Sequence, residues 1–136
     1  MTTIVAVKKT GMVAIASESL TTFGDTRLAA PYKGEHDKIL HLGENYIGIC
    51  GSSAHHLVLA SALTKMADVH LGNRMEVFET FRRLHPILKE HAYLNPKEDE
   101  DDPYESSQIT ALIANPTGIY GVYSYREVFD YDRFWA

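Results

Sequence analysis

A layered α+β fold is predicted for this chain by the order of its apolar segments. Strand-like runs come first, two helical stretches follow, and strand-like runs return. Both sets of strands are joined by tight turn signals, so each reads as a hairpin rather than as half of a βαβ unit. The 136 residues show no internal repeat and no linker, which makes 1–136 a single domain.

Thr3 to Val7 is mostly β-branched and reads as a strand; Thr10-Gly11 marks a turn; Met12 to Ala16 is the returning strand. Ser19 to Lys33, rich in Thr, Gly, Asp and Pro, reads as loop or irregular strand. Lys38–Leu42 and Tyr46–Cys50 are two short strands around Gly43-Glu44-Asn45. Gly51-Ser52-Ser53 opens a helix running to Val69. Ala54, Leu57, Val58, Ser61 and Ala62 fall at helical spacing, and Leu59, Leu63 and Met66 widen the apolar face, so cover on two sides is expected. Gly72 ends it.

Asn73 with Glu76 has the spacing of a capping box and starts a second helix. Met75, Phe78, Phe81 and Leu88 are expected along its inner side. Pro86 is expected to kink or divide it near Leu84. Asn95 to Ser107, holding the acids Glu98 to Asp102, reads as a solvated loop because successive like charges repel. Ile109–Ala114 and Ile119–Tyr123 are strands joined by Asn115-Pro116-Thr117-Gly118, and Phe134-Trp135 begin a last apolar segment.

Composition narrows the function. Hydrophobic residues make up 45% of the chain and charged residues 23%, with a formal net charge of -5. An acidic chain whose basic stretches are only Lys8-Lys9 and Arg82-Arg83 is a poor partner for a phosphate backbone, so no nucleic acid is expected. No apolar run approaches the ~20 residues of a membrane helix, and no secretory leader is visible, so no membrane role and a cytoplasmic location are expected. The single cysteine, Cys50, allows no intramolecular disulfide. Of the seven histidines, His55-His56 point to different faces of a helix, His85 and His91 are six apart, and His36-Asp37 is a loop pair. None has zinc-ligand spacing, so neither metal nor cofactor is expected.

Chemistry can begin at the N-terminus. With Met1 removed, Thr2 carries a free α-amine beside its own hydroxyl. A threonine hydroxyl needs a base to take its proton. An α-amine, with a pKa of about 7.7–8.0, is neutral far more often at pH 7 than a lysine at about 10.4. Taken alone, a Met-Thr-Thr start is only a frayed strand end.

Four segments in register change that. They are Thr2-Thr3-Ile4-Val5-Ala6-Val7 with Thr10-Gly11; Val13-Ala14-Ile15-Ala16-Ser17-Glu18-Ser19; Asp37-Lys38-Ile39; and Ile47-Gly48-Ile49-Cys50-Gly51. Together they resemble the proteasome β-subunits and the bacterial HslV peptidase, most nearly the beta-proteobacterial proteasome homologue, over nearly the whole chain. The resemblance implies the N-terminal-nucleophile hydrolase fold, a four-layer αββα sandwich, or the part of it that 136 residues can build. Two apolar hairpins flanking a helical pair agree with it.

The resemblance also implies roles. Thr2 would be the nucleophile of a threonine peptidase. Lys38 would supply a buried ammonium, held by Glu18 where family members commonly carry aspartate. The Gly48 N–H would receive the oxyanion, and Thr21, Thr22, Tyr46 and Cys50 would line the pocket for the side chain preceding the cut. Partners implied are identical subunits in a stacked double ring, unfolded protein or peptide substrates, and an ATPase unfoldase as a candidate. The family's Gly-Ser-Gly turn, two further helices and closing strands have no counterpart here, so the C-terminal part of the fold is expected to be missing. A non-catalytic ring subunit and a non-proteolytic amidohydrolase of the same fold are the alternatives.

Overall fold

A computed structural model describes residues 2–28, 38–97 and 100–135. Residues 29–33 of the predicted loop, the His36-Asp37 pair, and Glu98-Asp99 of the acidic run lie outside them. The elements run β1 (Ile4–Lys9), β2 (Met12–Ser17), β3 (Thr21–Phe23), β4 (Thr26–Leu28), β5 (Ile39–Leu42), β6 (Asn45–Cys50), α1 (Ala54–Lys65), α2 (Arg74–His91), β7 (Thr110–Asn115), β8 (Gly118–Val122), β9 (Val128–Tyr131) and β10 (Phe134–Trp135). The order strands, helices, strands is the predicted one.

These strands form a three-stranded sheet ordered β10-β1-β2, a separate β3-β4 hairpin, and a five-stranded sheet ordered β5-β6-β7-β8-β9. All pairings are antiparallel. The first hairpin turns on Thr10 (φ 52°) and Gly11 (φ 75°). Two left-handed residues between paired strands are the turn whose twist matches the strands. Phe134-Trp135, predicted only as an apolar segment, pairs with Ala6 and Val7. β9 was not legible: Asp130 interrupts its short apolar run, and it forms by pairing with β8.

Two cores stack across the five-stranded sheet. On one face Ile47, Ile49, Ala111, Ile113, Tyr120 and Val122 meet α1 and α2 through Leu59, Leu63, Val77, Phe81, Leu84 and Leu88. On the other face Leu112, Ala114 and Ile119 meet Ile4 and Ala6 of β1, with Val13 and Ile15 of β2 partly buried against them. Strands β7 and β8 are therefore covered on both faces, which is why they read as continuous apolar runs. The described residues thus build three layers of the αββα order. The outward side of β1-β2, with Val7, Met12, Ala14 and Ala16, is exposed.

Both helices depart in detail from the sequence reading. α1 stops at Lys65, short of Val69: Met66 is extended, and the Arg83 guanidinium from α2 donates to the carbonyls of Ala67 and Asp68. It is not covered on two sides, since Leu57 is exposed. α2 begins as predicted. Asn73 accepts from the Glu76 N–H, and the Glu76 carboxylate accepts from the Gly72 N–H. Pro86 does not divide it: the helix runs unbroken to His91. Pro86 is exposed, so its missing hydrogen bond leaves a carbonyl on the wet side, while Phe81, Leu84 and Leu88 anchor the buried face. Met75 points outward, and Val77 rather than Met75 is buried.

Candidate active site

The β1-β2 register, Ile4 opposite Ser17, brings the start of β1 beside the end of β2. Glu18 extends the pairing: its N–H donates to the Thr3 carbonyl at 3.3 Å, and its carboxylate accepts from the Thr3 N–H at 3.2 Å and the Leu20 N–H at 2.7 Å. Lys38 enters just before β5, where its carbonyl accepts from the Ile49 N–H of β6. Its side chain is largely buried. The ammonium donates to Glu18 Oε1 at 2.5 Å and to the Leu20 carbonyl at 2.7 Å.

The Lys38 hydrogen bond holds the Glu18 carboxyl down at about 2, aided by the Leu20 and Thr3 amides and opposed by partial burial. Glu18 is therefore an anion at neutral pH. The pair fixes a compensated charge where an isolated buried ammonium would be costly.

Above the pair lies a cavity of about 300 Å³. Thr2, Lys38, Thr21 and Thr22 line it, and Gly51, Ser52, Ser53 and His56 close it from the β6-α1 junction. Thr2, Lys38, Thr21 and Thr22, expected together from the sequence, are thus brought together, with Glu18 bonded to Lys38.

Tyr46, Gly48 and Cys50 are not brought there. They occupy alternate positions of β6 and share its face toward the three-stranded sheet. Gly48 is buried mid-strand, where an added Cβ would lie 2.6 and 2.8 Å from Ile4 side-chain atoms. An added side chain would thus disturb the packing of the two sheets, and Gly48, expected at the oxyanion, does not line the Thr2 cavity. Tyr46 stacks on His41 with centroids 4.4 Å apart and lines a different cleft with Val13 and Ala14. Cys50 packs at the inter-sheet core. Burial raises its thiol pKa against the opposing charge of Lys38, so it is a poor thiolate. Ile49 of β6, which does reach the cavity, has the other parity, and so does Gly51 just past the strand.

Gly51 is the position that sequence reading missed. Its φ of 112° is one that L side chains rarely adopt, and it turns the chain from β6 into α1 beside Thr2. The signal was present in Gly51-Ser52-Ser53, a small-residue turn between an apolar strand and a helix. Among the described residues no three His, Cys, Asp or Glu side chains gather into a metal site. Among those residues no helix is long and apolar enough to cross a membrane.

No family model and no curated protein matches the sequence. Solved structures do. Thiobacillus denitrificans BPH in complex with epoxomicin is 35% identical, with a TM-score of 0.88, over 99% of this chain and 70% of that one. A second structure of Thiobacillus denitrificans BPH is 36% identical, with a TM-score of 0.89, over the same shares.

Proposed function

The chain belongs to the proteasome-like family of the bacterial proteasome homologue BPH, and on that premise we propose that it is a threonine-type endopeptidase whose nucleophile is Thr2 after removal of Met1. The observation that carries this reading is that Thr2 and Lys38 line one cavity, with Glu18 paired to Lys38 behind it.

In this reading Thr2 Oγ attacks a peptide carbonyl carbon while its proton passes to the Thr2 α-amine. The Lys38 ammonium lowers the amine's pKa, so that more of it is a free base, and it favours the developing alkoxide. Glu18 holds and aims the Lys38 side chain. Backbone N–H groups at Gly51 and Ser52, rather than that of Gly48, receive the oxyanion. The amine returns the proton to the leaving nitrogen as the C–N bond breaks, and water then hydrolyses the ester on Thr2. Thr21 and Thr22 flank the substrate.

The chain works, in this reading, as one proteasome-type domain in a double ring of identical subunits, acting on unfolded chains that enter, with or without an ATPase unfoldase. The exposed Leu57 on α1 supports a subunit contact. A monomer by light scattering at working concentration would count against the ring.

The catalytic test is a fluorogenic-peptide assay with mass analysis of the N-terminus and of the epoxomicin adduct. The processed protein is expected to cleave peptide and to carry epoxomicin on Thr2. Thr2→Ala and Lys38→Met are expected to lose at least ~10²-fold in rate while still folding. A protein that retains Met1 and cleaves at the processed rate refutes the assignment.

A further inference from the structure

Away from the Thr2 cavity, a second concavity of about 790 Å³ opens between α2 and the turn joining β8 to β9. We propose that this groove, walled by Arg74, Arg82 and Arg126, docks an acidic polypeptide segment of another protein that also carries an aromatic or branched apolar side chain.

Charge is the first reason. The chain is acidic overall, with a net charge of -5, yet among the described residues three guanidiniums and a single carboxylate, Glu127, line this groove. Glu127 is engaged with the turn itself, accepting from the Tyr125 N–H at 2.8 Å. A local excess of positive charge on an acidic protein favours an acidic partner and steers it to this face.

Preorganisation is the second. Arg74 Nε donates to the Val128 carbonyl at 2.6 Å, and its guanidinium lies 5.8 Å from the centroid of the Phe129 ring. Arg126 donates to Ser107 Oγ at 2.8 Å, and that hydroxyl is held in turn by His85 Nδ1 at 2.8 Å. Arg126 also has a left-handed backbone, φ 65°, stabilised by its N–H to the Tyr123 carbonyl. Burial lowers its pKa against Glu127 and Glu105, so the cation is partly stripped of water. Arg82 is steadied along the helix by Glu79. Guanidiniums already fixed lose less freedom when they grip a carboxylate.

Shape decides the class of partner. Phe78, Met75 and Val128 give the groove an apolar floor, while Met75 and Tyr104 are exposed by 65% and 69%. A small ligand is normally enclosed on most of its surface, and this groove is too open for that. An extended segment laid across it would cover the apolar floor with one side chain and place carboxylates on the arginines. A nucleic acid would meet the same arginines but also the acidic remainder of the chain.

Fluorescence anisotropy with a labelled Glu-Phe-Glu-Leu-Glu-Glu peptide tests this. Saturable binding is expected, weakened at least ~10-fold by the exposed-site change Arg82→Glu and weakened by added salt. Lys65→Glu, outside the groove, is expected to leave it unchanged, and the Lys-for-Glu peptide is expected not to bind. Three results overturn the proposal: no saturable binding of the acidic peptide, equal loss with Lys65→Glu and Arg82→Glu, or an oligonucleotide of equal charge binding as tightly as the peptide. The groove shares no residue with the Thr2 cavity, so these outcomes stand apart from peptidase activity.

Discussion

Lys38 and Glu18 join the two sheets of the sandwich: an ammonium at the entry to β5 meets a carboxylate just past β2 at 2.5 Å. The Glu18 carboxyl is held at about 2, below its ordinary value of 4.5. A depressed folded-state pKa contributes stability that is full above the unfolded value and lost as pH falls toward the folded one. The melting temperature of the native protein is therefore expected to exceed that of Glu18→Gln by a constant margin above pH about 4.5, and the margin should vanish as pH approaches about 2. A margin that persists unchanged through this window would mean that Glu18 is not held by Lys38.

Gly48 and Ile4 pack against each other across the two sheets. A Cβ at position 48 would meet Ile4 Cγ2 at 2.6 Å and Cδ1 at 2.8 Å. Gly48→Ala is expected to destabilise by ~1–3 kcal/mol, as overpacking does. Because Ile4 lies two residues beyond Thr2, peptide cleavage should fall as well. In the double variant with Ile4→Ala the new methyl fills part of the space left by Ile4. Denaturant unfolding should then show a combined cost at least ~0.5 kcal/mol below the sum of the single costs. Strict additivity would remove the steric account.

Asn115 ties the β7-β8 turn to the rest of the chain. Its amide donates to the Asn45 side chain at 2.9 Å and the Leu71 carbonyl at 2.7 Å, and its carbonyl accepts from the Thr117 and Gly118 N–H groups at 3.0 and 3.2 Å. Asn73 makes a single cap bond to the Glu76 N–H on an exposed helix end. Asn115→Ala leaves several buried partners unmet and is expected to cost ~2–3 kcal/mol. Asn73→Ala should cost ~1 kcal/mol. Urea unfolding of both checks the order, and an equal cost would contradict it.

Local chemistry made much of the fold legible. Thr10-Gly11 fixed the first hairpin, Asn73 and Glu76 the start of α2, and Asn115 to Gly118 the turn between the buried strands. What stayed hidden was set by distant partners. The end of α1 depends on Arg83 of another helix, and β9 depends on β8. At the site, Thr2, Glu18, Lys38, Thr21 and Thr22 sit at or next to strand ends whose order the sequence reveals. The resemblance set Tyr46, Gly48 and Cys50 at the site; they lie on the face of β6 away from the Thr2 cavity, and a period-two pattern apolar on both sides does not say which side is which. Gly51 escaped notice because its value lies in a backbone angle.

β1, which begins two residues after Thr2, has one neighbour immediately after it in sequence and another, β10, from residues 134 and 135. During synthesis β1 therefore waits with a bare edge until residue 135 has been made, a template for the wrong strand in the meantime. Closing such a long loop is slow compared with forming the β1-β2 hairpin or the helices. Pulsed hydrogen exchange during refolding should find the β1-β10 amides among the last protected, so that Thr2 reaches its final setting only after the helices and the five-stranded sheet are in place.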